Sequence, residues 1–405
     1  MIDSKLPWVG TTIFSQMSQL AAATGAINLS QGFPDFAPDA RLLAALNSAS
    51  QDGFHQYAPM MGMACLRQQI AQLTQRTTGR EVCSDSEITV TSGATEALFV
   101  AIQALVRPGD EVIVFDPAYD SYQPAVELAG GRTVHIQLQA PLFNVDWHRV
   151  EQQITNRTRV IIVNSPHNPT GMVFQAADWQ ALADLVQRHG LFCISDQVYE
   201  HMVFDEGYAG SALMVDALAA RTMVVSSFGK TFHVTGWKLG YCIAPAALTC
   251  EFRKIHQYVT FSSFTPAQVA IAALLQSAPD LVTGLAGFYQ QKRDYFAQQL
   301  AGSAWQLLPC RGTYFQVADY SAIADMPDIE FCHWLAQQHG VAAIPLSVFS
   351  RATMCASTAF SSSGVSNHSP RQVAQPQAPS RLVRFCFAKQ DSTLQAATAR
   401  LRQVY

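Results

Sequence analysis

The sequence has few charged residues and no cysteine pattern that would define a disulfide framework or a zinc site. Charged residues make up 14% of its 405 positions and hydrophobic residues 49%, which excludes a disordered chain and a coiled coil. The 26 Lys and Arg residues against 30 Asp and Glu residues give a net charge of −4, so the net-basic signature of a nucleic-acid-binding protein is missing. We therefore expect a globular protein of two domains that does not bind nucleic acid.

Three features of the sequence indicate the cellular compartment of the protein: its cysteines, its first residues and its apolar runs. Nine cysteines are scattered without a C-x-x-C pair, a pattern typical of free thiols in a reducing compartment. The start, MIDSKLPWVG, lacks the basic and then apolar stretch of a secretory signal. No run approaches the roughly 18 apolar residues of a membrane span. These features predict a cytoplasmic protein with no membrane association.

The middle of the chain alternates short β-branched runs with stretches of helical periodicity. The predicted strands are 88–91, 111–115, 133–136, 160–164, 192–195, 222–226 and 239–243, and the predicted helices between them are 95–106, 121–128 and 177–189. Val160 to Val163 are all apolar, as expected of a strand that is covered on both faces. The pattern predicts an α/β fold with a large, mostly parallel seven-stranded sheet.

The ends of the chain predict a second, smaller α+β domain. A helix near 290–300, strands at 312–318 and 382–387, and a helix at 329–338 between them follow from the residue pattern. We expect a large domain over 40–285 and a small domain formed by 1–39 and 286–405. Residues 352–380 are rich in Ser, Ala, Gln and Pro, which predicts a mobile surface insertion.

Lys230 is the first candidate for chemistry. It follows a predicted strand in the run Ser-Ser-Phe-Gly-Lys-Thr-Phe at 226–232. A lysine held between small and aromatic residues can be desolvated, which lowers its pKa and leaves the amine free to form a Schiff base. A surface lysine is the alternative for this run taken alone.

Three further strand ends carry polar groups. Asn168 lies in the loop Asn-Ser-Pro-His-Asn-Pro-Thr-Gly at 164–171, Asp196 ends a strand three residues before Tyr199, and the small residues of Thr-Ser-Gly-Ala-Thr-Glu at 91–96 open a helix whose N-terminus favours an anion. Each alone also fits an Asx turn, a helix cap or a capped helix start. Because carboxyl ends of parallel strands share one edge, the four together predict a pocket for pyridoxal phosphate (PLP).

The strings SSFGKTFHVTGWKLGY at 226–241 and NSPHNPTG at 164–171 resemble the class I/II PLP-dependent aminotransferases of fold type I. The likeness runs from Asn28 to Phe387, interrupted by 352–380. It is greatest to the branch of methionine aminotransferases and kynurenine–glutamine transaminases. The resemblance implies ping-pong transamination between an amino acid and a 2-oxo acid.

The resemblance also implies roles for residues at the cofactor. Lys230 would form the Schiff base and move the proton, Asp196 would pair with the pyridine nitrogen, and Asn168 and Tyr199 would bind the phenolic oxygen. The implied phosphate ligands are Ser92, Gly93, Ala94, Ser227 and Lys238, the last at a place where many relatives carry Arg, which binds phosphate in bidentate fashion. Tyr119 would stack on the ring. Tyr57 would reach the phosphate of the neighbouring subunit, which implies a homodimer with shared sites.

The substrate residues implied by the resemblance are Arg384, for the α-carboxylate, together with Gly32 and the Asn168 side chain. Trp8 would line an aromatic pocket for the substrate side chain, with Phe261 and Phe264 as further candidates. No residue matches the second arginine of dicarboxylate-specific relatives. We therefore expect a neutral or aromatic amino donor of the methionine, Phe/Tyr, glutamine or kynurenine type.

Two other functions share parts of this pattern. A cysteine-S-conjugate or cystathionine-type β-lyase would use the same lysine, acid and phosphate site. A transcriptional regulator built on this fold would need a DNA-binding module before the motif at 32–35, and that motif begins too early to leave room for one.

Overall fold

The computed structural model describes residues 2–207, 210–350 and 380–405. All of the predicted insertion at 352–380 except Ser380 lies outside the described residues, and so does Cys355. The prediction of a mobile insertion therefore stays a prediction.

The N-terminal segment holds three helices and one short strand: α1 (Ile13–Thr24), β1 (Ile27–Asn28), α2 (Ala40–Gln51) and α3 (Ala64–Thr78). Thr12 caps α1 by accepting the backbone N–H of Ser15, and Gly25 ends it in the left-handed conformation, a common helix end because glycine has no Cβ. Helix α2 packs against the helix at Thr265–Ser277. Helix α1 packs against the helix at Asp328–Gln338 and the strand at Val341–Ala342.

The central sheet has seven strands: β2 (Ile88–Thr91), β3 (Glu111–Asp116), β4 (Arg132–Gln137), β5 (Thr158–Asn164), β6 (Phe192–Asp196), β7 (Thr222–Ser227) and β8 (Gly240–Ile243). Their spatial order is β2-β8-β7-β6-β5-β3-β4. Strand β8 runs antiparallel to both of its neighbours, and the remaining neighbours pair in parallel. The predicted α/β fold with a mostly parallel sheet is confirmed.

Helices lie between these strands: α4 (Gly93–Leu105), α5 (Tyr122–Leu128), α6 (Trp147–Gln152), α7 (Ala176–His189), α8 (Asp216–Ala219) and α9 (Phe228–Thr231). Alternate residues of one strand enter two different cores. Ile161 and Val163 pack into one core and Val160 and Ile162 into the other, because successive side chains of a strand point to opposite faces. The continuous apolar run of β5 therefore reflects burial on both faces.

The C-terminal part begins with helices α10 (Ala246–Val259), α11 (Thr265–Ser277), α12 (Asp280–Thr283) and α13 (Leu285–Leu300), and continues with β9 (Gln306–Leu307), β10 (Phe315–Asp319), α14 (Asp328–Gln338), β11 (Val341–Ala342), β12 (Ile344–Pro345), β13 (Leu382–Cys386) and α15 (Asp391–Leu401). Strands β12, β13, β10 and β9 form a four-stranded sheet in that order, and β1 pairs with β11. The strand predicted at 312–318 begins only at Phe315, because Thr313 has a φ of 67°, which is incompatible with extended backbone.

The association of β1 and α1 with the C-terminal elements agrees with the expected small domain, but the boundaries at 39/40 and 285/286 stay predictions. Within the described ranges no single helix is long and apolar enough to cross a membrane. The helices spanning Thr265–Ser277 and Asp280–Leu300 satisfy that length and composition test only as a pair, with a bend of 84° between them.

Candidate functional site

A cavity of about 330 Å³ lies at the carboxyl ends of β5, β6 and β7, beside β13. Most of the residues singled out from the sequence line it: Gly32, Gly93, Ala94, Tyr119, Asn168, Asp196, Tyr199, Ser227, Lys230, Lys238 and Arg384. Ser92, Tyr57 and Trp8 are not among the lining residues. The structure therefore brings four separate strand ends and a strand of the second sheet to one place.

Lys230 lies in α9, immediately after β7, and its side chain is held by two oxygens. Its Nζ donates to the hydroxyl of Tyr314 at 2.9 Å and to the carbonyl of Gly32 at 3.2 Å, and the Tyr314 hydroxyl donates to the same carbonyl at 2.6 Å. Burial lowers the pKa of Lys230 from 10.5 to about 8, and the positive charges of Arg384 and Lys238 act in the same direction. A far larger share of this amine than of an ordinary lysine is therefore neutral and nucleophilic near neutral pH.

Asp196 ends β6 with both carboxylate oxygens engaged. Its Oδ2 accepts the hydroxyl of Tyr122 at 2.7 Å, and its Oδ1 accepts the backbone N–H of Val198 at 3.3 Å. Burial raises its pKa to about 6, against the opposing effect of the Tyr122 hydrogen bond. A buried carboxylate without an ion-pair partner in the described chain suits a cationic ligand group.

Asn164 and Asn168 connect Asp196 to the opposite wall. The Asn164 amide donates to the backbone carbonyl of Asp196 at 2.9 Å and its oxygen accepts the N–H of Asn168 at 2.7 Å. Asn168 Oδ1 in turn accepts a hydrogen bond from Nη1 of Arg384 at 2.7 Å. The loop at 164–171 is therefore fixed to the end of β6, and it presents Asn168 to the cavity.

Arg384 is only 2% exposed, and its donors are only partly used. Nη2 donates to the carbonyl of Ser30 at 3.1 Å, the guanidinium lies 3.8 Å from the ring centre of Phe315, and Nε has no hydrogen-bond partner among the described residues. Burial lowers the pKa of Arg384 to about 10. A buried guanidinium with an unpaired donor fits a carboxylate ligand.

A positively charged site lies at the N-terminus of α4, apart from Arg384. Gly93 opens this helix with a φ of +79°, and a Cβ on it would lie 3.4 Å from Nζ of Lys238. Lys238 itself is left-handed, with a φ of 50°. Free backbone N–H groups, a helix dipole and an ammonium group together form an anion site. Ser92 precedes it, but its N–H donates to the side chain of Glu96 at 3.0 Å.

The aromatic candidates separate into two groups. Tyr119 lines the cavity, and its hydroxyl lies 3.3 Å from Oγ1 of Thr95. Trp8 donates from Nε1 to Glu127 at 2.6 Å, outside the cavity. Tyr57 is 83% exposed and meets Phe261 edge-on at 5.3 Å between ring centres. Phe264 is also exposed. In a single chain Trp8 and Tyr57 are therefore not assembled with the other predicted residues.

Sequence reasoning missed several residues at the cavity or in contact with its polar groups, among them Tyr122, Tyr314, Asn164 and Asp120. The sequence offered a signal for Tyr122, which follows Tyr119 by three positions, a separation that one turn of chain can close. Asn164 is the first residue of the run at 164–171, and Asp120 directly follows Tyr119. Tyr314 comes from the strand region of the second sheet, and nothing in its local sequence indicates its contact with Lys230.

The residues of the cavity fit PLP on structural grounds. An amine with a lowered pKa can react with an aldehyde, a buried carboxylate can pair with a protonated ring nitrogen, and the helix N-terminus with Lys238 can bind a phosphate. The unpaired Nε of Arg384 leaves a place for a substrate carboxylate.

The chain is similar to known aminotransferases along almost all of its length. The family model "Aminotransferase class I and II" matches residues 24–361. Methionine aminotransferase of Escherichia coli (strain K12) is 51% identical over 402 residues, which cover 99% of this chain and 98% of that protein. Kynurenine–oxoglutarate transaminase 1 of Mus musculus is 31% identical over 428 aligned residues, covering 98% of this chain and 94% of that protein.

Solved structures give the same result. The crystal structure of YbdL from Escherichia coli, which was identified as having a methionine aminotransferase function, matches with a TM-score of 0.91 and 50% identity, covering 100% of this chain and 99% of that one. The resemblance inferred from the strings at 226–241 and 164–171 is confirmed. The chain belongs to the class I and II aminotransferases, a family of PLP-dependent enzymes that act on amino acids and 2-oxo acids.

Proposed function

We propose that this aminotransferase uses PLP, bound in the cavity at Lys230, to transfer the amino group of a neutral or aromatic amino acid to a 2-oxo acid. The observation that carries the proposal is the meeting of the buried Asp196 and Arg384 with the half-buried Lys230 around one cavity. Burial disfavours the charge of each group, so a ligand that supplies complementary charges is strongly favoured there.

The proposed cofactor contacts follow from the positions of the side chains. Lys230 would hold the aldehyde carbon, Asp196 the pyridine nitrogen, and Asn168 and Tyr199 the phenolic oxygen, with Tyr119 against the ring. The phosphate would be bound by Ser92, Gly93, Ala94, Ser227 and Lys238. When bound, PLP supplies a conjugated ring that withdraws electrons from the substrate α-carbon.

The chain's own residues would then bind the substrate and move its proton. Arg384, with Asn168 and Gly32, would hold the α-carboxylate, which fixes the α-carbon relative to Lys230. The Lys230 amine, whose pKa of about 8 makes its neutral form accessible near neutral pH, would accept the α-proton as a general base and later return it. Tyr314 would orient this amine through its hydrogen bond.

We expect Lys230→Ala to lower kcat for transamination by about a thousandfold or more, because the chain loses both its aldehyde-binding amine and its general base. Borohydride reduction of the yellow wild-type enzyme, followed by peptide mapping, should place the cofactor on Lys230. A Lys254→Ala variant, which removes an exposed lysine paired with Glu251, should behave like the wild type. Cofactor fixed on another lysine would contradict the assignment.

The lowered pKa of Lys230 has a consequence for reconstitution. Since only the neutral amine attacks an aldehyde, the rate of covalent PLP attachment to apoenzyme should rise as pH approaches 8 and level off above it. An ordinary lysine, with a pKa of 10.5, would give a rate that is still rising at pH 9 to 10. Stopped-flow absorbance across this pH range measures the difference, and a rate that continues to rise tenfold per pH unit up to pH 10 would contradict the burial effect.

The cavity supports a neutral or aromatic donor. Its basic lining residues in the described chain are Lys230, Lys238 and Arg384, and all three already have proposed ligand groups, so none remains for a side-chain carboxylate. Phe14, Phe315 and Tyr119 add aromatic walls. The names of two of the relatives, a methionine aminotransferase and a kynurenine–oxoglutarate transaminase, agree with this choice.

Asp120 adds a negative charge to the cavity wall. Burial raises its pKa, while the charge of Arg384 lowers it from a distance, and no side chain in the described ranges forms a hydrogen bond or ion pair with it. An ionised Asp120 would repel a second carboxylate on the substrate.

We therefore expect a higher kcat/KM for methionine or an aromatic amino acid than for aspartate or glutamate. Asp120→Asn should raise the glutamate-to-methionine ratio of kcat/KM by about fivefold to tenfold, since it removes a like charge within a low-dielectric cavity. Glu330→Gln, which removes an equal charge from the exposed surface of α14, is the matched control. Aspartate as the best donor of the wild type would overturn the substrate proposal.

The β-lyase alternative is separated by its products. An S-substituted cysteine offered without a 2-oxo acid should yield little ammonia and pyruvate if transamination dominates, whereas stoichiometric release of both would favour the lyase. The same assay series, run with several 2-oxo acids, identifies the preferred amino acceptor.

We also propose a cytoplasmic homodimer in which Tyr57 reaches the partner's phosphate site. Tyr57, Tyr258 and Phe264 are exposed in the single chain, and large exposed aromatic side chains mark interaction surfaces. The described cysteines are all free thiols, which agrees with a reducing compartment.

Mixed dimers test the shared site. Subunits carrying Lys230→Ala and subunits carrying Tyr57→Ala are each expected to have low activity as homodimers. A heterodimer of the two should regain one intact site, because its Lys230 and Tyr57 then come from different chains at that site. Heterodimers that remain as inactive as their parents would contradict the contribution of Tyr57 across the interface.

A further inference from the structure

Tyr122 lies behind the proposed cofactor position, in contact with Asp196. It is 4% exposed and Asp196 is 3% exposed, and their side chains form a hydrogen bond of 2.7 Å between the hydroxyl and Oδ2. The two residues are 74 positions apart in the sequence. The contact therefore depends on the tertiary packing that brings the first residue of α5 to the end of β6.

The same turn of chain fixes both Tyr122 and the aromatic ring that faces the cavity. The backbone N–H of Tyr122 donates to the carbonyl of Tyr119 at 3.2 Å, and the two rings meet edge-on at 5.6 Å. Tyr119 lines the cavity, whereas Tyr122 does not. The first tyrosine is thus placed toward a ligand and the second toward the carboxylate that would bind it.

The charges around the pair determine which group donates. Burial, together with the negative charge of Asp196, raises the pKa of Tyr122 well above its ordinary value, so the phenol keeps its proton and donates at every working pH. Burial raises the pKa of Asp196 to about 6. The titratable groups that act on one or both members of the pair are Tyr119, Tyr199 and Lys230, and of these only Lys230 favours the charged carboxylate.

Without the phenol, the Asp196 side chain would retain one donor in the described chain, the Val198 N–H at 3.3 Å. A hydrogen bond to a charged acceptor stabilises it more than a bond to a neutral one, and a buried carboxylate that loses such a donor becomes easier to protonate. A protonated Asp196 would no longer hold a cationic ring nitrogen.

We propose that Tyr122 is a positioning residue that keeps the Asp196 carboxylate ionised and directed at the ring nitrogen of the cofactor. The proposal rests on the proposed function, because it assumes that PLP occupies the cavity. Tyr122 acts through Asp196 and touches neither the substrate nor the reacting carbon.

The test is Tyr122→Phe in the holoenzyme, which removes the hydroxyl and keeps the ring. The dissociation constant for PLP should rise by about tenfold, the effect expected for one hydrogen bond to a charged group. The pH at which the visible absorption of bound PLP changes should also shift relative to the wild type. Tyr320→Phe is the matched control, since Tyr320 is likewise buried and donates to a backbone carbonyl, that of Met326, at 2.8 Å.

A double-mutant cycle separates positioning from a general effect on the fold. In an Asp196→Asn background, Tyr122→Phe should leave PLP affinity unchanged within about twofold, because the carboxylate through which it acts is gone. Tyr122→His, which retains an N–H donor, should recover part of the affinity and of the spectral titration.

Three results would overturn the proposal. The first is an unchanged PLP affinity and spectral titration in Tyr122→Phe. The second is a loss of PLP affinity that persists in full in the Asp196→Asn background, and the third is a loss of PLP affinity no larger than that caused by Tyr320→Phe. A wild-type chain that binds no PLP at all would instead refute the proposed function, so the two failures are distinguishable.

Discussion

The desolvation of three ionisable side chains around one cavity is the constraint on which the rest of the site depends. Lys230, Asp196 and Arg384 have no ion-pair partner within the described chain, and burial displaces the pKa of each toward its uncharged form. Unpaired buried charges are costly. In the proposed complex, the cofactor would supply the aldehyde and the protonated ring nitrogen and the substrate would supply the carboxylate, each placed against one of the three side chains.

The parallel sheet explains how these groups meet. In the register of β5, β6 and β7, Asn164 pairs with Asp196, and Asp196 with Val225, two residues before the strand ends. Neighbouring strands lie about 4.8 Å apart, so the residues that follow them form a row at one edge. Arg384 comes from β13 in the other sheet and closes the row from the opposite side. A cavity between two rigid sheets needs little rearrangement to hold its groups in place.

The sequence predicted the site where the determining signals are local. Asn168, Asp196 and Lys230 each follow a strand whose apolar pattern is strong, and the order of the chain alone places them at a common edge. Tyr314 and Tyr122 were missed because they reach Lys230 and Asp196 across 84 and 74 positions, and such contacts depend on packing. Helix α4 starts at Gly93 and not at the predicted residue 95. Gly93 has a positive φ, and the spacing of apolar residues along the sequence cannot reveal such a backbone conformation. Trp8 and Tyr57 stay outside the cavity in one chain, so their predicted roles depend on contacts that a single chain does not contain.

The partners that the chain supplies to its buried charges are neutral donors and acceptors. Tyr122 donates to Asp196, Tyr314 and the Gly32 carbonyl accept from Lys230, and the Asn168 amide oxygen accepts from Arg384. An ion pair at any of these places would satisfy the charge within the protein and compete with the ligand. Neutral groups instead orient the charged side chains and leave their net charge to be matched from outside. Since burial also raises the pKa values of Tyr122 and Tyr314, both phenols stay neutral, and they add no charge that would compensate Asp196 or Lys230.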